Sequence, residues 1–224
     1  IIDFNRAGVP LMELVTEPVV HDAETAGAFG RELQLLLRSL GISDANMEKG
    51  EMRVEANISV SKSDGLGIKV EVKNLNSFKA MEQAIKYEVS RQITAIEKGE
   101  TIIQETRGWN ENRERTFSQR SKETAEDYRY FPDPDIPKFD ITKLKEFDKS
   151  RFAEIIDNIP ENKRIFYNEI LPSKDLAELI IGNISAERFF REVIKDLGDA
   201  TEAVPLAANY LTSDVFALMD AHPD

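Results

Sequence analysis

The pattern of this chain predicts an α+β fold that ends in helices, and three observations lead there. Two stretches, Met52–Val60 and Ile68–Lys73, alternate apolar and polar residues with period two, as half-buried strands do. Before and after them, apolar residues recur at three and four residues, the spacing of a helix with one buried stripe. Beyond about residue 148, only helix-forming stretches follow, separated by Pro160, Pro172, Gly182 and Gly198. The expected division is therefore 1–148 for a mixed domain and 149–224 for a helical one.

Each element follows in order. LMELV at 11–15 is a short apolar strand candidate, closed by Pro18. Asp22 caps a helix running to about Leu40, with Phe29, Leu33, Leu36, Leu37 and Leu40 as its stripe and Gly41 as its stop. In the first strand Met52, Val54, Ala56, Ile58 and Val60 face one way, and Arg53, Glu55, Asn57 and Ser59 the other. In the second, Ile68, Val70 and Val72 alternate with Lys69, Glu71 and Lys73. The polar loop SKSDGLG between them suggests an antiparallel hairpin whose polar rows share one face. Asn76 or Ser77 caps the next helix, expected to cover the hairpin with Phe78, Met81, Ile85, Val89, Ile93 and Ile96 until Gly99 ends it. Residues 101–120 read as a second hairpin turning near WNENRE. The proline-rich DYRYFPDPDIP at 127–137 favours an extended, turning path. In the helical part, SAERFFREVIKDLG is capped by Ser185, and AVPLAANYLTSDVFALM is helical despite Pro205.

Composition narrows the chemistry. No apolar stretch approaches the roughly 18 residues that span a bilayer, which predicts a soluble protein. Cysteine is absent, which fits a reducing compartment and removes thiol nucleophiles, thiolate metal sites and disulfides from consideration. His21 and His222 read as surface residues rather than ligands. The net charge of −12 argues against whole-surface attraction to nucleic acid, so any such contact must be local. The chain opens with IIDF, without an initiator Met or a signal pattern, and reads as an excerpt with part of its site expected upstream.

Four polar segments stand out: DFNRAGVPLMELVTEP at 3–18, MEKGEMRVEANISV at 47–60, EVKNLNSFKAMEQAI at 71–85, and DYRYFPDPDIP. Each places Arg, Lys, Asn and carboxylates on strands or strand ends, a density that points to a site handling anions. The plain alternative for Arg53, Glu55 and Asn57 opposite Lys69, Glu71 and Lys73 is a solvated sheet face with cross-strand ion pairs, each contributing ~0.2–1 kcal/mol.

In these segments, and in QETRGWNE followed by RSKETAEDYRYFPDPDIP, the chain resembles the GatB family, the B subunits of the aspartyl/glutamyl-tRNA amidotransferases. The resemblance implies an antiparallel-sheet catalytic cradle followed by a helical domain, in a cytoplasmic or organellar heterotrimer. It implies a two-step reaction. ATP and Mg²⁺ phosphorylate the side-chain carboxylate of Glu on tRNA(Gln) or Asp on tRNA(Asn), and ammonia displaces the phosphate. A partner amidase (the glutaminase of the complex) makes the ammonia, and a small third partner bridges the two. The 224-residue chain alone is expected to be inactive.

Such chemistry needs metal and fixed cations against the repulsion of two anions. The catalytic set that the resemblance implies is Arg6, Glu13, Arg53, Lys73, Asn74, Arg120 and Arg129. Lys73, Asn76 and Arg129 are the expected nucleotide contacts, and Glu13, Glu55 and Glu71 the expected metal ligands, with the main ligands upstream of Ile1. Asn57 is a further candidate for orienting substrate or water, and Glu48 a further carboxylate. The chain departs from the family pattern at Val54 and Glu55, where Cys and Asp are commoner, and at Gln119, where Met is common. Two other readings are the related archaeal E subunit, which usually carries an inserted domain, and a non-catalytic scaffold that binds the other members of the complex.

Overall fold

Helix α1 (Ala23–Ser39) starts where Asp22 accepts from the Thr25 backbone N–H at 2.6 Å. It ends at Gly41, whose φ of 65° lets Ile42 N–H reach back to the Leu37 carbonyl at 3.0 Å. The computed structural model describes Phe4, residues 8–121 and residues 134–221. The chain divides into two compact units, one comprising Ile1–Phe29 and Glu55–Ser121, the other Gly30–Val54 and Lys122–Asp224.

The first unit holds a four-stranded sheet in the order β1 (Val54–Ile58), β2 (Val70–Leu75), β3 (Glu105–Asn110), β4 (Arg115–Ser121). The alternation in the sequence carries through: Ala56, Ile58, Val70 and Val72 are buried, while Glu55 and Asn57 are exposed. β3 and β4 form the expected antiparallel hairpin. The sheet is not antiparallel throughout, however, because β2 and β3 run parallel. The reason is the connection: helix α2 (Phe78–Glu97) lies between them in sequence and provides the long crossover that a parallel pair requires. Ser77 caps α2, its hydroxyl accepting from Ala80 N–H at 3.0 Å.

The buried face of α2 differs from the expected stripe. Ala80, Met81, Ala84, Glu88, Gln92 and Ala95 are buried, whereas Ile93 is exposed. Small residues let the helix approach the sheet, and Glu88 and Gln92 both find hydrogen-bond partners there. LMELV forms no strand: residues 9–17 carry no strand pairing, and Leu11, Met12, Leu14 and Val15 are exposed.

The second unit contains α3 (Lys149–Ile156), α4 (Pro160–Ile170), α5 (Lys174–Gly182), α6 (Ile184–Leu197), α7 (Val204–Tyr210) and α8 (Phe216–Ala221). Its core packs Tyr167, Ile180, Ile181, Phe190, Val204, Ala208 and Leu211, with Leu35 of α1 against them. Asn183 rather than Ser185 caps α6, accepting from Ala186 N–H at 3.1 Å. Pro205 sits in the first turn of α7, where its missing N–H costs nothing, and a π-helical segment at Leu211–Val215 links α7 to α8. Among the described residues, no helix is long and apolar enough to cross a membrane.

Candidate functional site

The open face of the sheet in the first unit is built by pleat and register. Glu71 pairs with Thr106 and Lys73 with Gly108 across the parallel strands, so all four lie on one face. Lys73 Nζ donates to Glu55 Oε1 on β1 at 2.9 Å and stands 3.7 Å from Glu71. Thr106 Oγ1, itself buried, donates to Glu71 Oε2 at 2.8 Å. An ammonium therefore sits between two carboxylates from neighbouring strands. The Glu55 hydrogen bond, reinforced by both carboxylate charges, outweighs desolvation and raises the Lys73 pKa above the ordinary lysine value. Lys73 stays cationic throughout the neutral range.

Gly108, the register partner of Lys73, is buried under side chains of β4. A Cβ there would lie 2.6 Å from both Phe117 Cζ and Gln119 Nε2, so the β4 side chains fold over a position only glycine leaves vacant. Next to it the β3–β4 register shifts between Thr106 and Arg107, leaving Gln119 without a Cα partner.

Beneath the sheet lies a buried polar network that the sequence reading missed. Glu88 is fully buried and accepts from Arg91 Nη2 at 2.6 Å, from Gln92 Nε2 at 3.0 Å and from Thr116 Oγ1 at 2.8 Å. Arg107 donates to Thr116 Oγ1 at 2.8 Å and to Glu105 at 2.5 Å. Gln92 accepts from Val60 N–H at 3.0 Å and donates to the Ile58 carbonyl at 3.3 Å, fastening the end of β1. Burial pushes Glu105 up, but hydrogen bonds from Ser118 and Arg107 outweigh it and leave this carboxyl below its usual range. The available signal was the i, i+4 pair Glu88 and Gln92 on the face shared with Ala84 and Ala95.

Beyond Lys73, the alternation of β2 breaks. Asn74 adopts φ 63°, which leaves its side chain exposed and returns Leu75 to the core. Asparagine tolerates this left-handed conformation better than other residues with a Cβ. Asn74 and Asn76 line a polar concavity of about 390 Å³ with Trp109, Asn110, Glu111 and Asn112.

The other candidates are placed as follows. Arg53 and Glu48 are exposed, in the span that belongs to the second unit. Glu13 is exposed on the unpaired stretch before α1. Arg120 lies on β4, its Cα partnered with Thr106. Arg6 and Arg129 lie outside the described residues, as do Tyr128, Tyr130 and Phe131. The three expected metal ligands are not gathered: among the described residues, no group of three His, Asp or Glu side chains is arranged to hold a metal ion. Glu55 and Glu71 instead converge on the Lys73 ammonium.

Comparison with known proteins identifies this sheet and its surroundings. The GatB/GatE catalytic domain family matches residues 1–145. The B subunit of the aspartyl/glutamyl-tRNA(Asn/Gln) amidotransferase from a Synechococcus strain is 42% identical over 224 residues, covering 99% of this chain. The Nostoc protein of the same name is 41% identical over 224 residues, and that of Pelagibacter ubique 39% over 222, each covering 98% of this chain. The chain spans 44% of the length of each of these curated relatives. With the family's domain matched over most of its length and relatives at this identity, the chain belongs to the GatB/GatE family.

Proposed function

We propose that this chain is part of an ATP-dependent, tRNA-dependent amidotransferase whose phosphorylation site includes the Lys73–Glu55–Glu71 cluster. In this reading, a side-chain carboxylate oxygen of Glu-tRNA(Gln) or Asp-tRNA(Asn) attacks the γ-phosphorus of ATP. The bond from phosphorus to the bridging oxygen breaks and ADP departs. Ammonia from a partner amidase then adds to the carbonyl carbon, inorganic phosphate leaves with the C–O electron pair, and loss of a proton gives the amide. A small third partner bridges the two larger ones.

The cluster suits the first step because two anions must meet. Lys73 is a fixed cation that is held protonated, with its side chain 37% exposed. Mg²⁺ binds through one or two carboxylates with phosphate oxygens and water completing its shell. Glu55 and Glu71 would supply such carboxylates only with Lys73 Nζ turned from between them toward phosphate. The bound metal would neutralise charge between phosphate and carboxylate. Glu13, Arg6, Arg53, Arg120 and Arg129 are proposed as further members, with Arg129, Lys73 and Asn76 toward the nucleotide and Asn74 toward the substrate. Residues 1–148 form the catalytic domain and 149–224 the helical domain in this proposal.

The observation that carries the reading is the placement of an ammonium between two carboxylates within the matched catalytic domain. The side chains of Lys73 and Glu55 are 37% and 44% exposed, so the pair contributes at most ~1 kcal/mol to stability. A structural role does not require it. In the full-length protein assembled with its partners, Lys73→Ala is expected to lower ATP-dependent phosphorylation of the aminoacyl group at least about tenfold, with the unfolding midpoint almost unchanged. Normal turnover in that variant would return Lys73 to a solvated sheet face.

A further inference from the structure

The two carboxylates that face Lys73 are not held alike. The Glu55 side chain is 44% exposed, and it accepts a hydrogen bond from the Lys73 ammonium at 2.9 Å. The Glu71 side chain is only 13% exposed, and its two oxygens face different groups. Oε1 stands 3.7 Å from Lys73 Nζ, while Oε2 accepts from Thr106 Oγ1 at 2.8 Å. A separation of 3.7 Å is longer than a hydrogen bond, so the ammonium is bonded to the exposed carboxylate and only near the covered one. When Lys73 turns toward a phosphate, as the proposed function requires, Glu55 loses that bond. The bond from Thr106 to Glu71 is left untouched.

Thr106 is well placed to hold that carboxylate. It is 3% exposed on β3 and is the register partner of Glu71 across the parallel pair. Branching at Cβ restricts its χ1, so the backbone of the strand sets the direction of the hydroxyl. A hydrogen bond to an ionised carboxylate is roughly twice as strong as one between neutral groups, and burial keeps water from replacing the donor. The β3–β4 register shift follows directly after Thr106, and irregularities of that kind are frequent beside active sites. Strand packing alone would accept valine, which has the same branched shape. The hydroxyl is what adds the hold on Glu71.

We infer that Thr106 is a positioning residue for the phosphoryl transfer: its hydroxyl fixes Glu71, so that one carboxylate of the cluster keeps its place while Lys73 turns from Glu55 to the phosphate. The inference rests on the proposed function and adds to it a residue that acts only through another. The plain alternative is a buried hydroxyl–carboxylate pair that does no more than tie β2 to β3.

The test uses the full-length protein assembled with its partners and measures kcat and KM of ATP-dependent phosphorylation of the aminoacyl group. Thr106→Val keeps the shape and deletes the donor, Thr106→Ser keeps the hydroxyl, and Thr106→Cys offers a weak S–H donor in a similar space. The expected result is a kcat lowered about tenfold or more in the valine variant, less in the cysteine variant, and restored to within about twofold by serine. KM for ATP and for the aminoacyl-tRNA is expected to change by less than about twofold in all three. Losses carried by KM, or rates that follow the unfolding midpoints of the variants instead of their donors, overturn the inference. In a double-mutant cycle, Thr106→Val is expected to cost less than about twofold once Glu71→Gln is present, and independent, multiplying losses overturn it. A readout without turnover is the crystal structure of the Thr106→Val assembly, or of Thr106→Cys should valine prevent assembly. There the Glu71 carboxylate is expected to leave its place beside Lys73, and an unmoved carboxylate overturns the inference. If the wild-type assembly shows no ATP-dependent phosphorylation, the proposed function fails, and the crystal structure still decides whether Thr106 holds Glu71.

Discussion

Lys73 shows how neighbouring carboxylates set the charge state of a half-exposed side chain. Its hydrogen bond to Glu55 and the charges of Glu55 and Glu71 hold its pKa above the ordinary lysine value. The stabilisation linked to that shift is complete below the unfolded lysine pKa and is lost as pH rises through the folded value, so it bears on alkaline conditions only. Replacing Glu55 by Gln removes the principal cause, and the Lys73 pKa is expected to fall toward 10.5. Titration of the lysine side chain by nitrogen-detected NMR checks this, and an unmoved Lys73 would mean that Glu71 alone holds the ammonium. Asn74 is the other residue whose meaning depends on the backbone. Period-two alternation assigns it to the core, and a φ of 63° places it outside.

At the scale of elements, each unit is pinned by a buried carboxylate. Glu88 joins α2 to β3 and β4 through Thr116 and Arg107, next to the register shift of the β3–β4 hairpin. Removing one member of such a network leaves charges and donors buried without partners. Glu88→Ala is therefore expected to destabilise the first unit by about 3–5 kcal/mol, followed through Trp109 fluorescence during urea unfolding. In the second unit Glu187 accepts from Lys163 at 2.9 Å, Tyr167 at 3.0 Å and Arg191 at 2.7 Å. Burial raises the Glu187 pKa, but Lys163 and Arg191 outweigh it and leave it depressed. The corresponding stability is present above the unfolded glutamate value and disappears as pH falls through the folded one. Glu187→Gln is expected to flatten the acid limb of the helical unit's unfolding curve, monitored by circular dichroism. An acid limb as steep as wild type would assign that sensitivity to other carboxylates.

For the whole molecule, charge bears on how the proposed tRNA substrate would be held. A net charge of −12 argues against whole-surface attraction to nucleic acid, so phosphate contacts are expected to be local and few. In the proposed assignment, residues 1–148 take the aminoacyl end while the helices contribute shape and few phosphate contacts. The log-log salt dependence of tRNA binding is then expected to be shallow, at about −0.7 to −0.9 per neutralised phosphate. A slope equal to about six or more contacts, or tight binding by residues 149–224 alone, would relocate the nucleic-acid surface. By itself, the sequence determined the α+β class, the caps of α1 and α2, the burial alternation of β1 and β2 and the family. These depend on local periodicity, end-capping residues and motif order, all written within a few residues. Only tertiary structure decided that β2 and β3 lie parallel, that α2 buries Glu88 and Gln92 in place of Ile93, that Phe117 and Gln119 fold over Gly108, and that LMELV is left unpaired. Those outcomes depend on which partner each face meets across long stretches of chain, where a polar side chain becomes tolerable in a core once its hydrogen bonds are supplied from elsewhere.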